Sequence, residues 1–293
     1  MKHTEHEVVT PDGTKLHVDR WTPDGDVTRV VVLVHGALEH AGRYGHLAEV
    51  LGADGALVFG PDHRGQGLSD GPRGHTARFE DHAADLRHVI EDTAASLPED
   101  QRPGAVPWLM FGHSMGGLIS WMYLLDHEKA VPLAGAVVSA PLLEVAADLS
   151  GFERLSVNLL SKLAPKMGLP KSLPAETICR DPEEVARYAA DPRRATKVTA
   201  GWAKAVEAAA ARVTAEAKNI QTPMLVYIGT GDQVVKVPPV VALMESLPEA
   251  ESRDQTLRTF EGYYHELHNE PQDLRAPILE MVRAWIDDHA RKG

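Results

Sequence analysis

In Gly112-His113-Ser114-Met115-Gly116-Gly117 a serine has glycine two residues away on each side, directly after the apolar run Trp108 to Phe111 and before the helical pattern Leu118 to Leu125. A serine on so tight a strand-to-helix turn takes a cramped left-handed backbone, which demands small neighbours and lifts the hydroxyl clear of the sheet. The helix that follows offers free N–H groups to developing negative charge. This is chemistry suited to acyl transfer. Serine needs a base, and the base an orienting acid. Asp232, in Gly229-Thr230-Gly231-Asp232-Gln233, follows the apolar run Met224 to Ile228 and so falls at the carboxyl end of a strand, where α/β ligand sites form. His265 and His268, in Tyr263-Tyr264-His265-Glu266-Leu267-His268-Asn269-Glu270, both offer an imidazole, His265 lying nearer the last strand. The residues alone leave that choice open. His35-Gly36-Ala37-Leu38-Glu39-His40 also follows an apolar strand, and the Ala37 N–H there can serve as an oxyanion donor beside that of Met115.

Other chemistries fit less well. Fifteen histidines raise the question of a metal, yet His265-x-x-His268 lacks the zincin glutamate and His35 to Glu39-His40 is one residue too long for the inverted form. With a single cysteine, Cys179, there is no thiolate cluster, and no metal is expected. His75, His82 and His88 read as solvated helix or loop residues. In Asp62-His63-Arg64-Gly65-Gln66-Gly67 the pair Gly65-x-Gly67 is followed by Asp70 where a dinucleotide fingerprint needs glycine, so no cofactor is expected and the segment reads as scaffolding.

The elements that must position these groups alternate between two periodicities. Glu7 to Thr10 and Lys15 to Trp21 flank Pro11-Asp12-Gly13-Thr14 as a hairpin. Arg29 to Val34, Ala56 to Gly60, Pro107 to Phe111, Gly135 to Val138 and Met224 to Ile228 are continuous apolar runs, the signature of strands buried on both faces. Leu257 to Phe260 reads as a last strand. Tyr44 to Leu51, Phe79 to Leu97 and a C-terminal segment with Ile278, Met281, Val282, Trp285 and Ile286 read as helices. The alternation predicts an α/β fold with a mostly parallel sheet. From Leu142 to Asn219 no core strand is legible, far beyond an ordinary loop of about 2 to 6 residues. That predicts an insertion. Within it Phe152, Leu155, Leu159, Leu160 and Leu163 form an apolar helical stripe, Asp181-Pro182 marks a capped helix start, and Ala200 to Ala217 reads as a third helix. The stripe has three readings: packing within the insertion, the wall of an apolar tunnel, or contact with a lipid surface.

The chain has 293 residues, 43% hydrophobic and 25% charged, a composition that supports a sizeable core. Its net charge of −12 disfavours phosphate backbones, so nucleic acid is not an expected partner, and strong electrostatic membrane binding is equally disfavoured. One cysteine cannot form an internal disulfide, and the N-terminus shows no apolar signal region, so a reduced cytoplasm is the expected compartment. Oligomeric state is not legible.

Taken together, His35 to His40 with Arg43-Tyr44, Asp62 to Ser69, Gly112 to Gly117, Gly231-Asp232 and Tyr264 to His268 resemble the monoglyceride lipase and lysophospholipase group of α/β hydrolases. The resemblance implies an α/β-hydrolase core over 1–141 and 220–293, with a helical cap over 142–219 inserted after the sixth strand. It implies Ser114 as nucleophile, Asp232 as acid and His265, not His268, as base, with the Ala37 and Met115 N–H groups as the oxyanion hole. Glu39, Arg43 and His268 match the family's polar head-group pocket. The implied substrate is a lipid ester, above all a monoacylglycerol, with contact to a membrane or micelle through the cap. Other single-chain or small esters are the alternative, and a non-catalytic ligand receptor on the same fold the remote one. Dehalogenase or epoxide hydrolase chemistry needs a carboxylate at position 114. Two positions depart from the family pattern: Leu38 stands where glycine is usual and Gln66 where histidine is frequent.

Overall fold

The computed structural model describes residues 1–147, 150–169, 173–248 and 254–292. Its strands are β1 (Lys2–Val9), β2 (Lys15–Thr22), β3 (Arg29–Val34), β4 (Ala56–Pro61), β5 (Trp108–His113), β6 (Gly135–Ser139), β7 (Met224–Gly229) and β8 (Gln255–Phe260). They form one sheet in the order β1-β2-β4-β3-β5-β6-β7-β8. From β4 to β8 neighbouring strands run parallel, while β1 and β2 pair antiparallel at one edge. Every residue of β3, β4, β5, β6 and β7 is buried, which is why these segments read as unbroken apolar runs rather than alternating ones.

Eight α-helices occur among the described residues: α1 (Gly45–Gly52), α2 (Glu80–Ser96), α3 (Met115–His127), α4 (Gly151–Leu163), α5 (Pro182–Ala190), α6 (Ala200–Glu216), α7 (Val237–Ser246) and α8 (Gln272–Lys292). With α1 packed on α8 and α2 on α3, two helical layers enclose the sheet and bury Trp108, Trp121, Tyr123 and Phe111 between them. Helices α4, α5 and α6 all lie in the chain between β6 and β7, the interval expected as an insertion; its residues 148–149 and 170–172 lie outside those described. Helix α5 starts as its sequence suggests, the Asp181 side chain accepting from the Glu183 and Glu184 N–H groups with Pro182 in the first turn.

Strand order reverses between β3 and β5: the chain leaves β3 for β4 on one side and enters β5 on the other. A crevice opens at such a point at the carboxyl ends of the strands. The register sets Val34 beside Gly112, so the turns that follow, at Gly36 and Ser114, meet there.

Two histidines differ from expectation. His75 and His82 are buried, not solvated. His75 Nδ1 lies 2.8 Å from Thr199 Oγ1 at the start of α6, and His82 packs between Phe79 and His63. A lone histidine carries no burial signal in sequence, because its imidazole suits an aromatic cluster as well as water.

Candidate active site

Ser114 joins β5 to α3 with φ 54° and ψ −117°, in the left-handed half of the map that a side chain seldom occupies. Close backbone packing explains the flanking glycines. A Cβ on Gly116 would be driven into the Val34 and His35 carbonyl oxygens, and one on Gly112 would sit 2.7 Å from the Gly116 carbonyl. The Ser114 N–H is held by the Ser139 carbonyl at 2.9 Å, and the Ser114 carbonyl accepts from Leu118 and Leu142, so the turn is fixed from both sides.

Asp232 follows β7 and His265 follows β8, the two parallel neighbours at the far edge of the sheet. They meet through His265 Nδ1 and Asp232 Oδ2 at 2.7 Å, with both side chains almost fully buried. The other carboxylate oxygen of Asp232 accepts from the Val234 and Val235 N–H groups at 2.8 and 2.9 Å, which aims the first at the imidazole. Burial alone pulls the His265 pKa down, but the Asp232 carboxylate outweighs it and holds the imidazole above its ordinary 6.5. The His265 ring lies 4.7 Å from that of His113, the residue before Ser114. No direct hydrogen bond joins Ser114 Oγ to His265 among the described residues; such bonds are often long in unliganded enzymes and tighten around substrate.

Around the serine, the N–H groups of Ala37 and Met115 donate to no protein acceptor among the described residues. A Cβ on Gly36 would lie 3.2 Å from Ser114 Cβ, so the loop bearing Ala37 passes directly over the nucleophile turn. Two unengaged backbone donors flanking a serine can receive an oxyanion. Leu38, at the position where glycine is usual, has φ 64° and is buried, so this loop carries backbone strain beside the donor.

Glu39, Arg43 and His268 also come together, but mostly by binding protein. Glu39 Oε1 accepts from the Gly36 N–H at 2.5 Å and the Tyr44 hydroxyl at 2.8 Å, and Oε2 from Arg43 at 2.5 Å. Arg43 then grips Glu266 with two parallel bonds of 2.8 Å and stacks 4.8 Å above the Tyr188 ring of α5. Burial pushes Glu39 upward; at Glu266 burial acts in the same sense, but Arg43 outweighs it and brings the carboxyl down to about 2. Glu266 is the member that reading the sequence as a list of catalytic types missed. Its signal was adjacency to His265, which a pattern search discards because the neighbouring side chain normally points elsewhere. His268 stacks on Tyr44 at 5.2 Å, burial lowers its pKa to about 3, and its Nδ1 is buried without a partner.

The α4–α6 segment reaches this region at several points. Trp202 of α6 donates through Nε1 to Met115 Sδ at 3.3 Å, Ile178 accepts from the Glu266 N–H at 2.7 Å, and Asp191 lies 2.7 Å from His40.

An eight-stranded, mostly parallel sheet with a strained serine on the turn after its fifth strand, and a histidine–carboxylate pair after its last two, defines an α/β hydrolase. Within that class the chain belongs to the serine aminopeptidase S33 family, whose model it matches over residues 25–272. It is 35% identical over 288 residues to a monoacylglycerol lipase of Mycolicibacterium smegmatis, covering 98% of both chains. It is 32% identical over 283 residues to the monoglyceride lipase of Mus musculus, covering 95% of this chain and 89% of that one. Among solved structures, the monoacylglycerol lipase of Paleococcus ferrophilus superposes with a TM-score of 0.80 at 28% identity, over 94% of this chain and 99% of its own. The chain is an enzyme, a hydrolase of this family.

Proposed function

We propose that this ester hydrolase cleaves monoacylglycerols to a free fatty acid and glycerol by way of an acyl-enzyme. The observation that carries the mechanism is the 2.7 Å pair of His265 and Asp232 beside a left-handed Ser114 at the crevice of the sheet. Ser114 Oγ attacks the acyl carbonyl while His265 takes its proton, and the Ala37 and Met115 N–H groups hold the oxyanion. His265 returns the proton to the departing glycerol oxygen. A water, deprotonated by the same imidazole, then attacks the acyl carbon, and His265 gives that proton to Ser114 Oγ as the acyl–oxygen bond breaks and the fatty acid leaves. The substrate assignment is supported by the similarity to monoacylglycerol lipases over nearly the whole chain.

The division of labour in the polar pocket follows from which atoms remain free. Glu39 and Arg43 are engaged with Gly36, Tyr44 and Glu266, so we assign them the positioning of the oxyanion loop and the shape of the pocket. His268, whose side chain makes no hydrogen bond to protein among the described residues, is the one left to meet a glycerol hydroxyl. Residues 142–219 act as the cap. No residue of α4 is buried, and Phe152, Leu155, Leu159 and Leu163 stand 79, 66, 55 and 75% exposed, which supports contact with the acyl chain or a lipid aggregate over packing within the cap. No helix among the described residues is long and apolar enough to cross a membrane, so such contact is made from the surface.

Fatty acid release from mono-, di- and triacylglycerols and from nitrophenyl esters of matched chain length tests the substrate. Monoacylglycerols are expected to be the best substrates, and a strong preference for nitrophenyl esters would point to a general carboxylesterase. With the stripe broken by Phe152→Asp and Leu159→Asp, hydrolysis of long-chain monoacylglycerol in micelles should fall at least about tenfold while a soluble short-chain ester is unaffected. Equal rates on both would return the stripe to a packing role.

The pH profile follows from His265. The imidazole must be neutral to act, and Asp232 raises its pKa, so kcat/KM should fall about tenfold per unit as pH drops below a limb lying above about 6.5. In Asp232→Asn the limb should move to lower pH as the maximum rate collapses. A flat profile from about pH 5 to 8 would remove His265 from the base role.

A further inference from the structure

At the edge of the sheet opposite the His265–Asp232 pair, the first two strands bring together four side chains that the hydrolase chemistry does not use. Antiparallel pairing sets Glu5 opposite Asp19 and Glu7 opposite His17, and the two-residue alternation puts His3, Glu5, His17 and Asp19 on one face of the hairpin. Donor atoms of His3, Glu5 and Asp19 lie within 4.8 Å of one another. Asp19 is completely buried between two imidazoles: Oδ1 is 2.7 Å from His3 Nε2, and Oδ2 is 3.6 Å from His17 Nε2. The second separation is too long for a hydrogen bond, and both atoms, Asp19 Oδ2 and His17 Nε2, are buried with no hydrogen-bond partner. His17 is itself only 9% exposed.

We infer that this hairpin face is a binding site for a divalent transition-metal ion of the zinc class, held by His3, Glu5 and Asp19, whose donor atoms converge, with His17 outside that group and within reach of Asp19 as a further imidazole. One imidazole and two carboxylates are a donor set that suits zinc, and His17 can supply a second imidazole. The separation of Asp19 Oδ2 and His17 Nε2 matches that of two ligands about 2.0–2.2 Å from a tetrahedral ion, roughly 3.3–3.6 Å, whereas His3 and Asp19, hydrogen-bonded at 2.7 Å, move apart to admit the ion. His3 is oriented by stacking on Trp21 at 4.9 Å, and the backbone N–H of His17 donates to Ser69 Oγ at 2.9 Å, which fixes β2 beneath the site. Glu5 and the exposed His3 leave the face open to solvent, giving an ion its path. An ion there ties β1, an edge strand exposed along most of its length, to buried β2, and so acts as a staple on the first hairpin. No linear motif reveals such a site, because its ligands sit at i and i+2 on each of two strands and converge only through their pairing.

The test uses the full-length chain, stripped with chelator, and zinc chloride as the probe. Isothermal titration should show one zinc per chain, and the melting midpoint should rise by a few degrees with zinc and fall back with chelator. His3→Ala and Glu5→Ala, both at exposed positions, should each weaken binding at least about tenfold, and their double variant should abolish it. His6→Ala, on the opposite face of β1, should leave the affinity unchanged. Should Asp19→Asn fail to fold, the two exposed variants still decide the matter. No stoichiometric zinc in the wild type would overturn the inference, as would binding that His3→Ala and Glu5→Ala leave intact, which would mark it as adventitious.

Discussion

Replacing Ser114 with alanine is expected to lower kcat/KM for a short-chain monoacylglycerol by about 10^4- to 10^6-fold, without a change in melting temperature. Loss of a serine nucleophile removes the covalent route altogether, and what remains is the modest catalysis of the oxyanion donors and of binding. Stability should not fall. The left-handed backbone at position 114 goes with the carbonyls packed against Gly112 and Gly116, and among the described residues the side chain makes no hydrogen bond that holds the turn. A fluorophosphonate should label the wild type once per chain and the variant not at all. Activity within about tenfold of wild type would end the assignment, because no other group here could replace an alkoxide. His265→Ala gives the matching control, silencing the base while leaving Ser114 in place.

The second large effect concerns stability. Arg43→Ala should destabilise the fold by about 3–5 kcal/mol, since removing one member of a buried ion network leaves its partners uncompensated. Glu39 and Glu266 both direct oxygens at the guanidinium, and both are buried. Without it, two buried carboxylates lie close together with only neutral donors, the Gly36 N–H, the Tyr44 hydroxyl and the Asn269 amide, to offset them. For a chain of this size the midpoint should drop by roughly 10 °C, and the deficit should shrink at low pH, where the carboxyls take up protons. The sign follows from Glu266: its carboxyl is held down to about 2, so its contribution is present above the ordinary carboxylate range and is lost as pH falls toward that value. Denaturant unfolding at pH 7 and at about pH 3.5, inside that window, measures both. A melting point within about 2 °C of wild type would mean that Arg43 is a ligand-facing group whose loss shows only in KM. Activity should fall as well, because Glu39 would lose the partner that fixes it while it holds the Gly36 N–H beneath the oxyanion loop.

Both expectations grow from features of different legibility. The left-handed serine was readable at once: Gly112 and Gly116 are local consequences of a local crowding, and crowding by one's own neighbours is written in neighbouring residues. Arg43 and Glu266 are 223 residues apart, and nothing near either one names the other. The same holds for Asp19, whose place between His3 and His17 depends on how two strands are paired. Stripe residues of α4 were visible as a helix face, but a 3.6-residue period says that one face is apolar without saying what covers it. Only the structure shows that face bare.

The sequence by itself determined the central strands, the helices between them, the long strand-free interval between β6 and β7, and the turn that carries Ser114. Burial, helical period and glycine sterics act over a few residues, and those are the physics that a chain records in order. Beyond the acid–base pair of Asp232 and His265 that the family resemblance implies, tertiary structure alone decided which distant side chains meet: Arg43 with Glu266, and His82 with His63. Such meetings depend on strand order and register, which arise from packing the whole sheet at once. A side chain's partner across the sheet therefore leaves no mark beside it in the chain.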